Sequence, residues 1–117
     1  MGLLENMLKS SVLAIYGNVI SGKYEFCALN IAGEELAFYN TSDTVKNNGQ
    51  PMLKELNEKV NVHEVKSYEI KDVYDAYETT ITWNSGENTV IRTEKKPMGS
   101  NVTNPIDQLR RVLAKSK

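Results

Sequence analysis

The sequence predicts one small α+β domain: a curled antiparallel sheet, or partly open barrel, closed by a C-terminal helix. Two segments carry that prediction. Thr79-Thr80-Ile81-Thr82-Trp83 and Thr89-Val90-Ile91-Arg92-Thr93 are β-rich arms on either side of a polar, glycine-containing turn, Asn84 to Asn88, which is the pattern of a hairpin. Behind them stand the signals of a helix. Asn104 suits the N-cap, Pro105 the first helical position and Asp107 the first turn, and Ile106, Leu109, Val112 and Leu113 form an apolar stripe. A chain of 117 residues and 13.2 kDa can bury one core and is too short for two, so residues 1–117 are expected to be a single domain.

Leu3, Leu4, Met7 and Leu8 recur at helical spacing and predict a short amphipathic helix ending near Ser10-Ser11. Val12 to Val19 is β-prone, with turn or bulge positions at Gly17-Asn18 and Ser21-Gly22, and Lys23 to Ile31 is the second arm of a hairpin. Ala32-Gly33-Glu34-Glu35 turns the chain into a third strand, Leu36 to Asn40, which completes a meander. Thr41 to Gln50 has loop composition. Pro51 then predicts a helix running to about Lys59, with Met52, Leu53, Leu56 and Val60 on one side. Val60 to Val65 and Ser67 to Val73 read as extended, and Lys95 to Thr103, with Pro97, Gly99 and Ser100, breaks regular structure before the last helix.

Several classes of function are disfavoured by composition. Apolar residues make up 40% and charged residues 25%, the balance of a chain that folds rather than stays disordered. No apolar run approaches the ~20 residues of a membrane-spanning helix. Glu5 stands where a signal peptide would be positive, and Cys27 is the single cysteine, so no intrachain disulfide forms; a cytosolic location is expected. Glycine spacing matches neither the P-loop nor the dinucleotide fingerprint, so no cofactor is expected. His63 is the single histidine and lacks a second ligand at zinc spacing, so no metal is expected either. A Cys27/His63 nucleophile and base pair would have to meet in space, and nothing in the sequence favours it; the chain is read as no enzyme.

The order of an extended stretch, the Thr79 to Thr93 hairpin with its Trp-Asn-Ser-Gly turn, and the closing helix Pro105 to Lys115 resembles bacterial pleckstrin-homology-like domains. The resemblance covers less than half of the chain. It implies two roughly orthogonal antiparallel sheets capped at one end by an amphipathic helix, no shared catalytic activity, and binding of proteins or lipid headgroups. A helix at Pro51 to Lys59 would be an insertion between strands of that fold.

Two groups of residues are candidates for partner binding. Glu69, Asp72, Asp75 and Glu78 recur at three-residue spacing beside Tyr68, Tyr74 and Tyr77, which would put the acids on one side of a helix if Ser67 to Tyr77 were helical rather than extended. Tyr74, Asp75 and Tyr77 are then candidates for an acidic, tyrosine-bearing surface facing a basic protein, against the plainer reading of a solvated face. The second group comes from charge asymmetry: residues 1–91 hold seven Lys/Arg and thirteen Asp/Glu, whereas residues 92–117 hold seven and two. Arg110 and Arg111, with Arg92, Lys95 and Lys96, would meet phosphates of a lipid headgroup or nucleic acid; the plainer reading is that Arg110, Arg111, Lys115 and Lys117 complement a helix C-terminus while Arg92, Lys95 and Lys96 solvate a strand end. Aromatic residues do not interleave with these cations and the pI is near 5.8, so nucleic acid is disfavoured, while peripheral membrane contact stays open. The expected function is a non-catalytic binding module with a protein partner or self-association. The alternatives are anionic-ligand binding through the basic end and a small immunity or inhibitor protein.

Overall fold

The computed structural model describes residues 14–41, 53–95 and 104–116. Seven strands follow one another: β1 Gly17–Gly22, β2 Cys27–Ala32, β3 Glu35–Thr41, β4 Leu53–Asn61, β5 Val65–Asp72, β6 Ala76–Trp83 and β7 Asn88–Glu94. A 3₁₀ turn, Val62–Glu64, joins β4 to β5, and helix α1, Pro105–Ala114, ends the chain. All pairings are antiparallel, in the order β4-β3-β2-β1-β7-β6-β5.

That order makes β4 and β5 the two edges of the sheet although only three residues separate them in the chain. Six inter-strand spacings of a flat sheet would hold the edges about 29 Å apart, and the short connection spans less than half of that. The sheet therefore curls into a half-barrel. Bulges help it turn: the β1–β7 register slips between Val19 and Ser21, and the β3–β4 register slips twice, between Phe38 and Tyr39 and between Tyr39 and Thr41.

The concave face follows the two-residue alternation of each strand. Thr79, Ile81 and Trp83 of β6 point inward beside Ile91 and Thr89 of β7, Val19 of β1, Leu29 of β2 and Leu36 and Phe38 of β3. Helix α1 adds Ile106, Leu109, Val112 and Leu113 to the same core. It lies toward the end where β1 begins and β7 finishes: the Tyr16 hydroxyl donates to Gln108 Oε1 at 3.2 Å, and Thr93 Oγ1 donates to the Tyr16 carbonyl at 2.9 Å. Close packing there explains Gly17, since a Cβ at that position would stand 2.6 Å from Ile91 Cγ2 and 2.9 Å from the Arg92 carbonyl oxygen.

The Trp83 hairpin, the first meander and the closing helix are present, with boundaries shifted by a few residues. Gly17 and Asn18 lie inside β1, and the first hairpin turns instead at residues 23–26. The predicted helix from Pro51 to Lys59 is corrected: its described part is strand β4, because pairing with β3 outweighs local helical spacing. Ser67 to Val73 is extended as expected, mostly within β5, and the alternative of a helix over Ser67 to Tyr77 gives way to β5, a tight turn and the start of β6. Asn104 precedes α1 with φ 53° and makes no side-chain capping bond, so it acts through a left-handed backbone rather than as a conventional N-cap. The expected helix at Leu3 to Leu8 lies outside the described residues, as do residues 42–50 and 96–103 of the two expected irregular segments and residues 51–52 of the expected helix from Pro51.

Candidate functional site

At the end of the half-barrel where β1 meets β2, the β1–β2 turn, the end of β4 and the β6–β7 turn enclose a cavity of about 310 Å³. Its aromatic wall begins with Tyr24, which stacks on Phe38 with ring centroids 4.2 Å apart and meets Trp83 edge-on at 6.0 Å. Trp83 is fixed from behind. Its indole Nε1 donates to Thr89 Oγ1 at 2.8 Å, and that hydroxyl donates to the Lys23 carbonyl at 2.9 Å, so the β6–β7 hairpin is tied to the β1–β2 turn through a buried relay.

The polar wall comes from charged side chains. The Tyr24 phenol donates to Glu58 Oε1 at 2.7 Å; burial first, and then the Glu58 carboxylate, push its pKa well above the usual tyrosine value. Lys23 Nζ lies 5.3 Å from the Tyr24 ring centroid and 3.4 Å from Glu87 Oε1. Lys59 and Glu64 also line the cavity. Both Tyr24 and Phe26 have positive φ, 69° and 70°, a costly geometry for side chains of this size. Stacking and the hydrogen bond offset that cost at Tyr24. Phe26 is 76% exposed.

The first group of expected site residues falls at the β5–β6 hairpin. Tyr74, at its tip, is 91% exposed with φ 80°, and its N–H donates to Asp72 Oδ1 at 3.1 Å. Asp75 accepts from Arg92 Nη2 at 3.0 Å, while Asp72 accepts from Lys95 Nζ at 2.8 Å. Lys95 also sits 5.0 Å from the centroid of Tyr77, which is half-buried. Cations of β7 and its end thus face the acids of this hairpin. The Lys95 hydrogen bond holds the Asp72 carboxyl below its usual range, and Glu94 and Asp75 push the Arg92 guanidinium up.

The second group lies on α1. Arg110 donates to Asp107 Oδ1 at 3.2 Å one turn earlier, and Arg111 is exposed. No described contact joins these arginines to Tyr74, Asp75 or Tyr77. Cys27 and His63 are also apart: Cys27 is buried opposite Asn40, with its thiol pKa pushed up by burial, whereas His63 is exposed 3.9 Å from Glu34. These contacts are at opposite ends of the β2–β3 pair, ~17 Å apart by strand rise. Among the described residues no cluster of three or more His, Cys, Asp and Glu side chains has the arrangement of a metal site, and no helix is long and apolar enough to cross a membrane.

The sequence places Trp83 at the end of a hairpin arm but does not reveal the cavity beside it, because Tyr24, Glu58, Glu64 and Trp83 come from four separate elements with no shared spacing. No protein-family model matches the chain, and no curated protein matches it.

Proposed function

We propose that the chain is a non-catalytic binding module with a pleckstrin-homology-like architecture, which contacts another protein through the tip of the β5–β6 hairpin. The observation that carries this reading is Tyr74, an aromatic ring almost wholly in solvent on a left-handed backbone. Glycine or asparagine would occupy that backbone with less strain, and a bulky residue held there at a cost of ~1 kcal/mol points to a use outside the fold. Tyrosine supplies rigid contact area with little side-chain entropy to lose. The Asp75–Arg92 and Lys95–Asp72 pairs brace the tip, and β5 offers an adjacent sheet edge for further backbone contact.

The test is capture from a lysate of the source cells by the tagged full chain, alongside Tyr74→Ala and Tyr74→Gly. Glycine accepts the positive φ, so Tyr74→Gly keeps or raises stability while removing the ring. Specific capture by the parent chain, lost in both variants, is expected. Capture unchanged in both removes this surface.

A further inference from the structure

We propose that the partner at the β5–β6 hairpin is a second copy of this chain, which adds its own β5 to the free edge of β5 in an antiparallel ladder centred on Ile70. The inference rests on the protein-binding reading and names the partner.

The hairpin turn decides which backbone groups are free. The Val73 N–H donates to the Ala76 carbonyl at 2.9 Å, so Val73 and Ala76 are a hydrogen-bonded pair; by alternation, so are Lys71 with Glu78 and Glu69 with Thr80. The N–H and C=O groups of Tyr68, Ile70 and Asp72 therefore point away from β6, into the open edge. This free stretch is bounded by the turn after Val73 and by the register slip between Val65 and Ser67, and its midpoint is Ile70. The other edge, β4, slips twice against β3 and offers no comparable run; a bulged edge is a poor template for pairing.

A two-fold axis through Ile70 uses the whole stretch. Ile70, half-buried against the core, meets Ile70 of the second copy, and Tyr68 stands opposite Asp72 in both directions. On the outer face Glu69 is set against Lys71 of the second copy, and Lys71 against its Glu69. These are non-hydrogen-bonded positions of the new ladder, where side chains approach most closely. Both residues are exposed, and neither belongs to an ion pair among the described residues. Lys71, across from Glu78 of β6 on its other side, would then sit between two carboxylates. Other registers lose this match. An axis through Glu69 or Lys71 sets like charges face to face, and one through Tyr68 leaves Glu69 opposite Ser67. Charge therefore selects the register. It also carries each Tyr74 tip past the end of the ladder, toward Lys66 of the other copy.

The test is analytical ultracentrifugation of the full chain up to about 1 mM, alongside Glu69→Lys, Lys71→Glu and an equimolar mixture of the two variants. The parent is expected to form a reversible dimer, and each variant alone to associate about tenfold more weakly or worse, since like charges then face each other twice. The mixture regains association, because each variant meets opposite charges on the other. Both side chains are exposed, so native near-ultraviolet dichroism is expected of both variants. A parent that stays monomeric at about 1 mM, a variant that associates as the parent does, or a mixture no stronger than its components would overturn the inference. Tyr74→Gly separates the two claims. Capture of an unrelated protein that depends on Tyr74, with a monomeric parent, overturns the second-copy assignment alone. Charge variants that behave as expected while Tyr74→Gly associates like the parent overturn the role of the tip and leave the β5 ladder standing.

Discussion

The Tyr24 phenol on the β1–β2 turn donates a 2.7 Å hydrogen bond to Glu58 on edge strand β4, fastening a strained turn to the free edge of the sheet. Tyr24→Phe keeps the stack on Phe38 and loses only this bond, so it should lower unfolding free energy by about 1 kcal/mol in urea titrations. The phenol also gives an alkaline signature. Its folded pKa is raised, so the stability it contributes is complete below the unfolded value of about 10 and is lost as pH rises beyond it. The difference in ultraviolet titration between the parent chain and Tyr24→Phe should therefore show one phenol ionising late; ionisation near pH 10 would contradict the assigned environment.

Two buried threonines on facing strands should respond oppositely to the same change. Thr89 Oγ1 both accepts from Trp83 and donates to the Lys23 carbonyl, so Thr89→Val leaves two polar groups without partners and should cost about 2 kcal/mol. Thr79 Oγ1 is buried without a hydrogen-bond partner. Thr79→Val should be neutral or stabilising by up to about 1 kcal/mol, measured in the same denaturant series.

Gly17 and Gly22 are the two ends of β1, which pairs antiparallel with β7. A Cβ at Gly22 would lie 2.3 Å from the Asn88 carbonyl oxygen, and its φ of 84° disfavours any side chain; a Cβ at Gly17 would strike Ile91 and Thr93. Either glycine changed to alanine should destabilise the domain by about 2 kcal/mol or more, seen as a lowered Tm. Gly33→Ala adds a Cβ in open space, so only its φ of 64° opposes it and the loss should be smaller.

Acid should loosen the β5–β6 tip before the core. Asp72 has its carboxyl pKa lowered by Lys95 and by the Tyr74 N–H, so its contribution is present above the unfolded value of about 3.9 and fades as pH falls through the lower folded value. Carboxyl chemical shifts followed by NMR should place Asp72 below the usual aspartate range, and Lys95→Met should return it toward that range. An unmoved midpoint in Lys95→Met would show that the pair does not persist in solution.

What the sequence made legible was local. The β6–β7 hairpin keeps strict alternation through Ile81, Trp83, Thr89 and Ile91, and α1 keeps its apolar stripe, so both could be read without knowing their neighbours. β4 was misread for a physical reason: its two register slips against β3 break the two-residue alternation, leaving Leu53, Leu56 and Val60 at helix-like spacing although Leu56 is 44% exposed and Val60 is buried. The turn at residues 23–26 escaped because Lys23-Tyr24-Glu25-Phe26 contains no turn former; tertiary contacts of Tyr24, not composition, hold its left-handed backbone. The acid spacing around Tyr74 was visible, but its pairing with Arg92 and Lys95 depends on the β6–β7 register and on long-range closure.

The central claim, that the β5–β6 tip is a protein contact, is tested most directly by photo-crosslinking in the source cells, with p-benzoylphenylalanine replacing Tyr74 and, as a control, exposed Ser67 on the outer face of β5. A discrete adduct at position 74, weak or absent at position 67, is the predicted result. No adduct at 74, or the same diffuse labelling at both positions, would contradict it.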